Sequence, residues 1–272
     1  MTEIAIRKST PRSAAGSRDR NLDGTGPLVR LILRRERIRL PAWILGLSVL
    51  LTVFLRALAN LTETQEQRRD LLRIMEGGIG AIFGPGYGRY DITAERYVVG
   101  VYGLFFFVLA ALMTMLLVVR HTRAEEQNGL AELIRSNVAG RHAHLTAALI
   151  VAVGANAVLA LALATTMVAN AHDGADGMLF GASVGAVGLV FAGISALTVQ
   201  LSGYSRTATG LAGAVLGVFW VVRAAGDMIR DYGSPLSWFS PLAWSNQTRP
   251  YVDGRWWPLL LSIGFAAVAA AS

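Results

Sequence analysis

The chain has 272 residues, a formal net charge of +7, 53% hydrophobic residues and only 16% charged ones. A soluble domain carries about 25% charged residues, so this deficit and the long uncharged runs indicate an all-α integral membrane protein. With no cysteine there is no disulfide or thiolate chemistry. Ten of the 25 basic residues precede position 40, outside any apolar run, so the charge reads as a membrane-adjacent tail and not a nucleic-acid surface.

Residues 1–26 mix Ser, Gly, Pro and Arg and read as a disordered basic tail. No cleavable signal precedes the first apolar stretch, which begins only at Pro41 and is too long for a signal core. Residues 27–40 read as an interfacial amphipathic helix on the inner leaflet. Pro27 suits its start, Leu28, Leu31, Ile32 and Arg35 share one face, and arginine stems extend that face.

A transmembrane domain over 41–272 follows, with six apolar spans. They lie at about 41–59, 98–119, 145–169, 178–201 and 207–225, with the last from 257 to 272. Each is near the ~20 residues a helix needs to cross ~30 Å of hydrocarbon. The last has 16 residues and no basic flank, so the sequence is expected to be the first half of a longer polypeptide. Gly181 and Gly185, and Gly213 and Gly217, are small-residue steps that permit close helix packing.

Basic residues near the spans set the orientation. The tail places the N-terminus in the cytosol and the protein in the plasma (inner) membrane as a multi-pass chain. The 120–144 loop, with four arginines, and the 202–209 turn, with Arg206, are then cytosolic. The 170–177 loop carries Asp173 and Asp176 and no cation, which fits the outside. Residues 60–97 form a long outer loop, with a helix expected at 62–76 and a glycine-rich turn from Gly77 to Gly88. That turn lacks the Lys-Ser/Thr ending of a phosphate cradle. Residues 226–256 are too apolar for a solvated loop, and Pro235, Pro241 and Pro250 break them too often for a span. They read as outer re-entrant or surface-lying helices, with Trp238, Trp244, Trp256 and Trp257 at the interface.

The most informative segment is the charged island from Arg120 to Arg141. Leu130, Leu133, Ile134 and Val138 fall on one helical face, and Glu125, Glu126, Glu132 and Arg135 decorate the rest. A plain cytosolic turn needs no such helix. Either it meets a soluble partner or it is a generic capped amphipathic turn.

Energy-coupling chemistry is sparse. The sole lysine, Lys8, has no glycine loop before it, so no Walker A sequence exists. His121, His142, His144 and His172 are the only histidines and make no His-Glu-x-x-His zinc site; no metal site is expected. The charged side chains in or at the ends of the spans are Arg56, and Arg223 with Asp227, spaced i, i+4 and able to pair. Ion-driven carriers place acids deep in their spans, so this pattern argues against one.

Three stretches carry a family resemblance. They are Arg123–Arg135 with Gly140-Arg141; Ser240-Pro-Leu-Ala-Trp244 with Gln247, Arg249-Pro250 and Trp256-Trp257-Pro258; and the arginine-rich helix leading into Pro41-Ala-Trp43. The chain resembles the membrane-spanning permeases of ABC-2-type exporters, in particular actinobacterial multidrug and polyketide-antibiotic exporters. Gln127-Asn128, between Glu126 and Gly129, departs from the family pattern. The resemblance implies six-helix units of the ABC-2 exporter fold, two per full-length relative, the second half lying in the same or another chain. It also implies that 123–135 is a coupling helix docked on nucleotide-binding ATPase subunits, which form a dimer and hold ATP and Mg2+. No cofactor is expected in this chain itself.

On that basis Glu125, Glu126, Gly129, Glu132, Arg135 and Arg141 are the candidate coupling residues. Phe105, Phe106, Phe107, Met113, Phe219 and Trp220 are candidates for a cavity that takes lipophilic drugs, although such side chains also face lipid or neighbouring helices. Trp238, Pro241 and Trp244 are candidates for an outer gate. The expected function is the permease subunit of an ATP-driven efflux transporter for lipophilic drugs or antibiotics. An ion-coupled secondary carrier and a non-transport membrane scaffold that docks a cytosolic partner remain open alternatives.

Overall fold

The computed structural model describes residues 24–76, 84, 92–124, 143–171, 174–230 and 233–271. All regular structure among them is helical. The candidate coupling residues from Glu125 to Arg141, the tail before residue 24 and most of the glycine-rich turn lie outside the described residues.

Helix α1 spans Thr25–Arg35 and buries Leu28 and Ile32, the apolar stripe expected of the interfacial helix. It ends earlier than the sequence suggests, and the first span, α2, already starts at Arg39. Pro41 therefore lies in the first turn of α2, where a missing N–H costs nothing. Leu47, Leu51, Leu55 and Leu58 line the buried face of α2. Leu45, Val49 and Val53 project from the exposed face. The Ser48 and Thr52 hydroxyls donate to the carbonyls four residues back, which satisfies them inside an apolar helix.

Helix α3, Gln65–Glu76, starts at a reciprocal cap. Thr64 Oγ1 accepts from the Gln67 N–H at 3.3 Å, and Gln67 Oε1 accepts from the Thr64 N–H at 3.1 Å. Helix α4 runs over Ala94–Thr122 as one span, beginning before the expected Val98. It contains a π-helical turn at Val98–Tyr102, and a second, Arg120–Ala124, overlaps its last residues and continues it to Ala124. Helices α5 (Ala143–Ala171), α6 (Gly174–Leu201) and α7 (Ser205–Ile229) complete the long spans. A 3-10 turn (Ser237–Phe239), the short helix α8 (Pro241–Asn246) and α9 (Pro258–Ala271) follow.

Five of these helices are long and apolar enough to cross a membrane: α2, α4, α5, α6 and α7. The sixth expected span appears as α9, an apolar helix of 14 residues. Its 14 described residues extend ~21 Å at 1.5 Å per residue.

Helix α6 is the spine. It packs on α4, α5, α7, α8 and α9 and is buried along most of its length. Glycine makes this possible. A Cβ at Gly181 would overlap the Ala160 carbonyl, one at Gly188 would overlap the Asn156 amide, and one at Gly193 would press into Ala269 of α9. The Gly181–Gly185 step is therefore a helix contact, as expected. Gly213 and Gly217 are not: a Cβ at either meets nothing within 4 Å, so that step on α7 packs on no described residue. Helices α2 and α7 are the spans with most of their surface exposed.

Candidate functional site

The six aromatic and sulfur side chains proposed from sequence separate into two groups. Phe106, Phe107 and Met113 are buried in the main core. The Phe106 ring meets Phe54 and Phe180 edge-on, with centroids 6.3 and 5.9 Å away. Phe105 and Trp220 reach the surface, and Phe219 packs half-buried against the core. Helix α4 thus turns Phe106 and Phe107 inward and Phe105 outward. Grooves between the described helices include those of α2 with α4, α1 with α2 and α5, and α4 with α7. None of these three is lined by any of the six residues.

Trp238, Pro241 and Trp244 do come together, in a cap over one end of the bundle. Trp238 stacks on Trp257 with centroids 5.2 Å apart, and Trp244 Nε1 donates to the Trp238 carbonyl at 2.7 Å. Pro241 occupies the first turn of α8. From Ser240 to Pro250 every residue is buried except Trp244, which is half-buried.

Polar bonds bind this cap to the spine. The Ser183 hydroxyl of α6 lies 2.9 Å from that of Thr248, and Ser245 Oγ donates to the Ser183 carbonyl at 3.2 Å. Ser240 Oγ donates to the Phe219 carbonyl of α7, and Arg96 Nε of α4 donates to the Tyr251 carbonyl, both at 2.7 Å. Arg249 and Tyr251 hold φ values of 49° and 63°, left-handed conformations that cost non-glycine residues energy and persist where surrounding contacts impose them.

The Arg223–Asp227 pair expected from the i, i+4 spacing forms at 2.8 Å. Arg223 has no exposed surface at all. Asp227 Oδ1 also accepts from Ser237 Oγ at 3.1 Å, so the pair belongs to a chain of bonds that staples the end of α7 to the cap. Gly226 allows that approach, since a Cβ there would overlap Ser237.

The opposite end holds a cluster that the sequence hides. Glu36, between α1 and α2, is 2% exposed. Its Oε1 accepts from Arg120 Nη1 at 2.7 Å and lies 2.8 Å from His121 Nε2, with Arg39 Nη1 at 3.8 Å. Burial alone would raise the pKa of this carboxyl, but the hydrogen bonds from His121 and Arg120 outweigh it and hold it below the ordinary 4.5. Midway along the bundle, Asn156 of α5 donates to Thr114 Oγ1 of α4 at 2.9 Å and to the Ala152 carbonyl at 2.8 Å. Both clusters escaped the sequence reading. The available signals were one acid inside an arginine run and one amide inside an otherwise apolar span.

The family of multidrug efflux system permease Rv1217c, C-terminal domain, matches residues 26–272. The chain belongs to this family. A curated relative, the multidrug efflux system permease protein Rv1217c of Mycobacterium tuberculosis, is 40% identical over 277 residues, covering 98% of this chain and 48% of the relative. The chain therefore spans about half the length of that relative. Family membership agrees with the resemblance to ABC-2 exporter permeases, and with the five long apolar helices it makes this a multi-pass membrane protein.

Proposed function

We propose that this chain is a membrane permease of an ATP-driven efflux transporter, that lipophilic small molecules are its cargo, and that a separate nucleotide-binding ATPase subunit supplies the energy. The observation that carries the reading is the match over 26–272 to a multidrug efflux permease family, together with 40% identity to one such permease. The basic tail and the four arginines of 120–144 favour a cytosolic N-terminus and put the 123–135 segment on the cytosolic side. There Glu125, Glu126, Gly129, Glu132, Arg135 and Arg141 would meet the ATPase. The acids pair with cations of the partner and the glycine permits close approach.

In this reading the described helices are one half of the transport path, and a second half of similar architecture supplies the other. Phe105 and Trp220, both at the surface, face the path, while Phe106, Phe107 and Met113 pack behind them. The Trp238–Trp244 cap closes the outer end. No covalent chemistry is asked of this chain; it converts ATPase movement into exposure of the path to one side or the other.

The test is Glu126→Arg in the complete transporter, co-expressed with its ATPase and reconstituted in vesicles. Drug-stimulated ATP hydrolysis and drug efflux should fall together, while the size-exclusion profile stays that of the wild type. Normal stimulation in this variant refutes the docking role. Efflux by the wild type that survives removal of ATP refutes the ATP-driven reading in favour of an ion-coupled carrier.

A further inference from the structure

Glu36 sits in the run Arg34-Arg35-Glu36-Arg37, where an acid would ordinarily remain in solvent. Instead it is almost wholly buried, and its partners are 84 and 85 residues away in sequence. Burying a carboxylate is costly unless it is paired and hydrogen-bonded, so the two guanidinium groups around it, Arg39 and Arg120, and the His121 imidazole are a condition of its position.

The backbone at the other side of the contact is specialised too. Arg120 and His121 open the π-helical turn at the last described residues of α4, and π turns inside α-helices are frequent at functional sites. The extra residue in that turn changes the angle between successive side chains, and here two consecutive residues reach the same carboxylate oxygen. Below the carboxylate, Leu28 and Ile32 of α1 pack with Leu117 and Val118 of α4 and with Ala143 and Ala147 of α5. The foot of α4 and the start of α5 are the two roots of the 125–142 segment. Helix α1 is therefore seated on the start of α5, and it continues through Glu36, which bonds to the foot of α4, into α2, one of the two least-covered spans.

We infer that Glu36, gripped by Arg120 and His121, is a mechanical tie that carries displacement of the foot of α4 and the start of α5 into α1 and α2. It is a positioning residue of the transport cycle, touching neither cargo nor nucleotide. The inference rests on the proposed docking of an ATPase at 125–142 for the source of the displacement. The tie itself rests on the described contacts alone. A covering element held only by apolar packing could slide when the foot of α4 moves; a carboxylate bonded to two consecutive residues of that foot has to follow it.

The experiment compares transport per ATP hydrolysed in vesicles holding the complete transporter, for wild type, Glu36→Gln, Arg120→Met and the double variant. Glu36→Gln keeps the shape of the side chain and removes its charge. The expected result is a fall of about tenfold in transport per ATP for each single variant, within the ~5–150-fold range of allosteric couplings. The double variant should be no worse than either single one, because both remove the same tie. The chain has no native cysteine, so Glu36→Cys with His121→Cys can be joined by a short bifunctional thiol reagent. Bridging should restore transport per ATP, and cleaving the bridge should remove it again.

Wild-type transport per ATP in Glu36→Gln overturns the inference, as does a double variant whose losses multiply. If the single variants fail to fold, the bridged cysteine pair decides alone: a folded, bridged chain without recovery of transport overturns the tie. Wild-type transport that ignores ATP would instead sink the proposed function. The tie would then be read from the transport rate of Glu36→Gln under the true driving force.

Discussion

Removing the carboxylate of Asp227 tests how the outer cap is held. In Asp227→Ala the guanidinium of Arg223, which has no exposed surface, loses the partner 2.8 Å away, and Ser237 Oγ loses its acceptor. Breaking a buried ion pair from one side costs about 3–5 kcal/mol, since the remaining charge stays buried. For a chain of this size each kcal/mol lowers the melting temperature by ~2–4 °C, so a drop of about 6–20 °C is expected. The assay is fluorescence-detected thermal unfolding of the purified permease in mild detergent. The double variant Arg223→Met with Asp227→Leu removes both charges and should melt well above Asp227→Ala, because no unpaired charge remains. An Asp227→Ala protein that melts within about 2 °C of wild type would refute the reasoning. So would a double variant less stable than the single one.

Two further predictions follow from the helix packing and the Glu36 cluster. Gly181→Val should cost at least about 1–3 kcal/mol in the same assay, because its Cβ would overlap the backbone of Ala160, whereas Gly213→Val in the isolated chain should stay within about 0.5 kcal/mol; equal effects would overturn the assignment of α6 as the closely packed spine. Because His121 and Arg120 hold the folded-state pKa of Glu36 below its ordinary 4.5, its stabilisation is complete above 4.5 and is lost as pH falls through the lower folded value. The melting-temperature gap between wild type and Glu36→Gln should then shrink as pH drops below 4.5, and a gap that widens there would count against the ion cluster.

Much of the bundle was legible because the bilayer imposes a simple rule: about 20 apolar residues per span, with charges at the ends. The five long helices, the capped helix α3 and the buried stripe of α1 all follow from periodicity and composition. The Arg223–Asp227 pair was legible for a local reason, since an i, i+4 spacing brings two side chains to one face. Glu36 was not. Nothing in its neighbourhood separates a solvated acid among arginines from a buried one, because the deciding partners lie more than 80 residues away. The π turn at Val98–Tyr102 was equally hidden, since one extra residue in an apolar run leaves no break in the pattern. The early start of α4 at Ala94 is set by a cap, Thr93 Oγ1 accepting from the Arg96 N–H at 3.3 Å, whereas α2 starts at Arg39 without a side-chain cap.

The two buried charge clusters fall at opposite ends of the bundle, each on one of the two spans with most exposed surface. The α1–α2 elbow is tied by Glu36 to Arg120 near the last described residues of α4, and α7 is tied by Asp227 where the cap begins. Along the rest of their length both spans rely largely on apolar contact, which specifies position weakly within hydrocarbon because lipid tails are as apolar as leucine. Polar bonds in that medium are directional and costly to leave unmade, so they fix the points about which an otherwise sliding helix can turn. A permease whose α2 was driven at its Glu36 end while α7 turned about the cap end would move its two exposed spans from opposite ends of the bundle. That motion needs no acid in the middle of a span, where the described structure instead places the neutral clamp of Asn156 and Thr114.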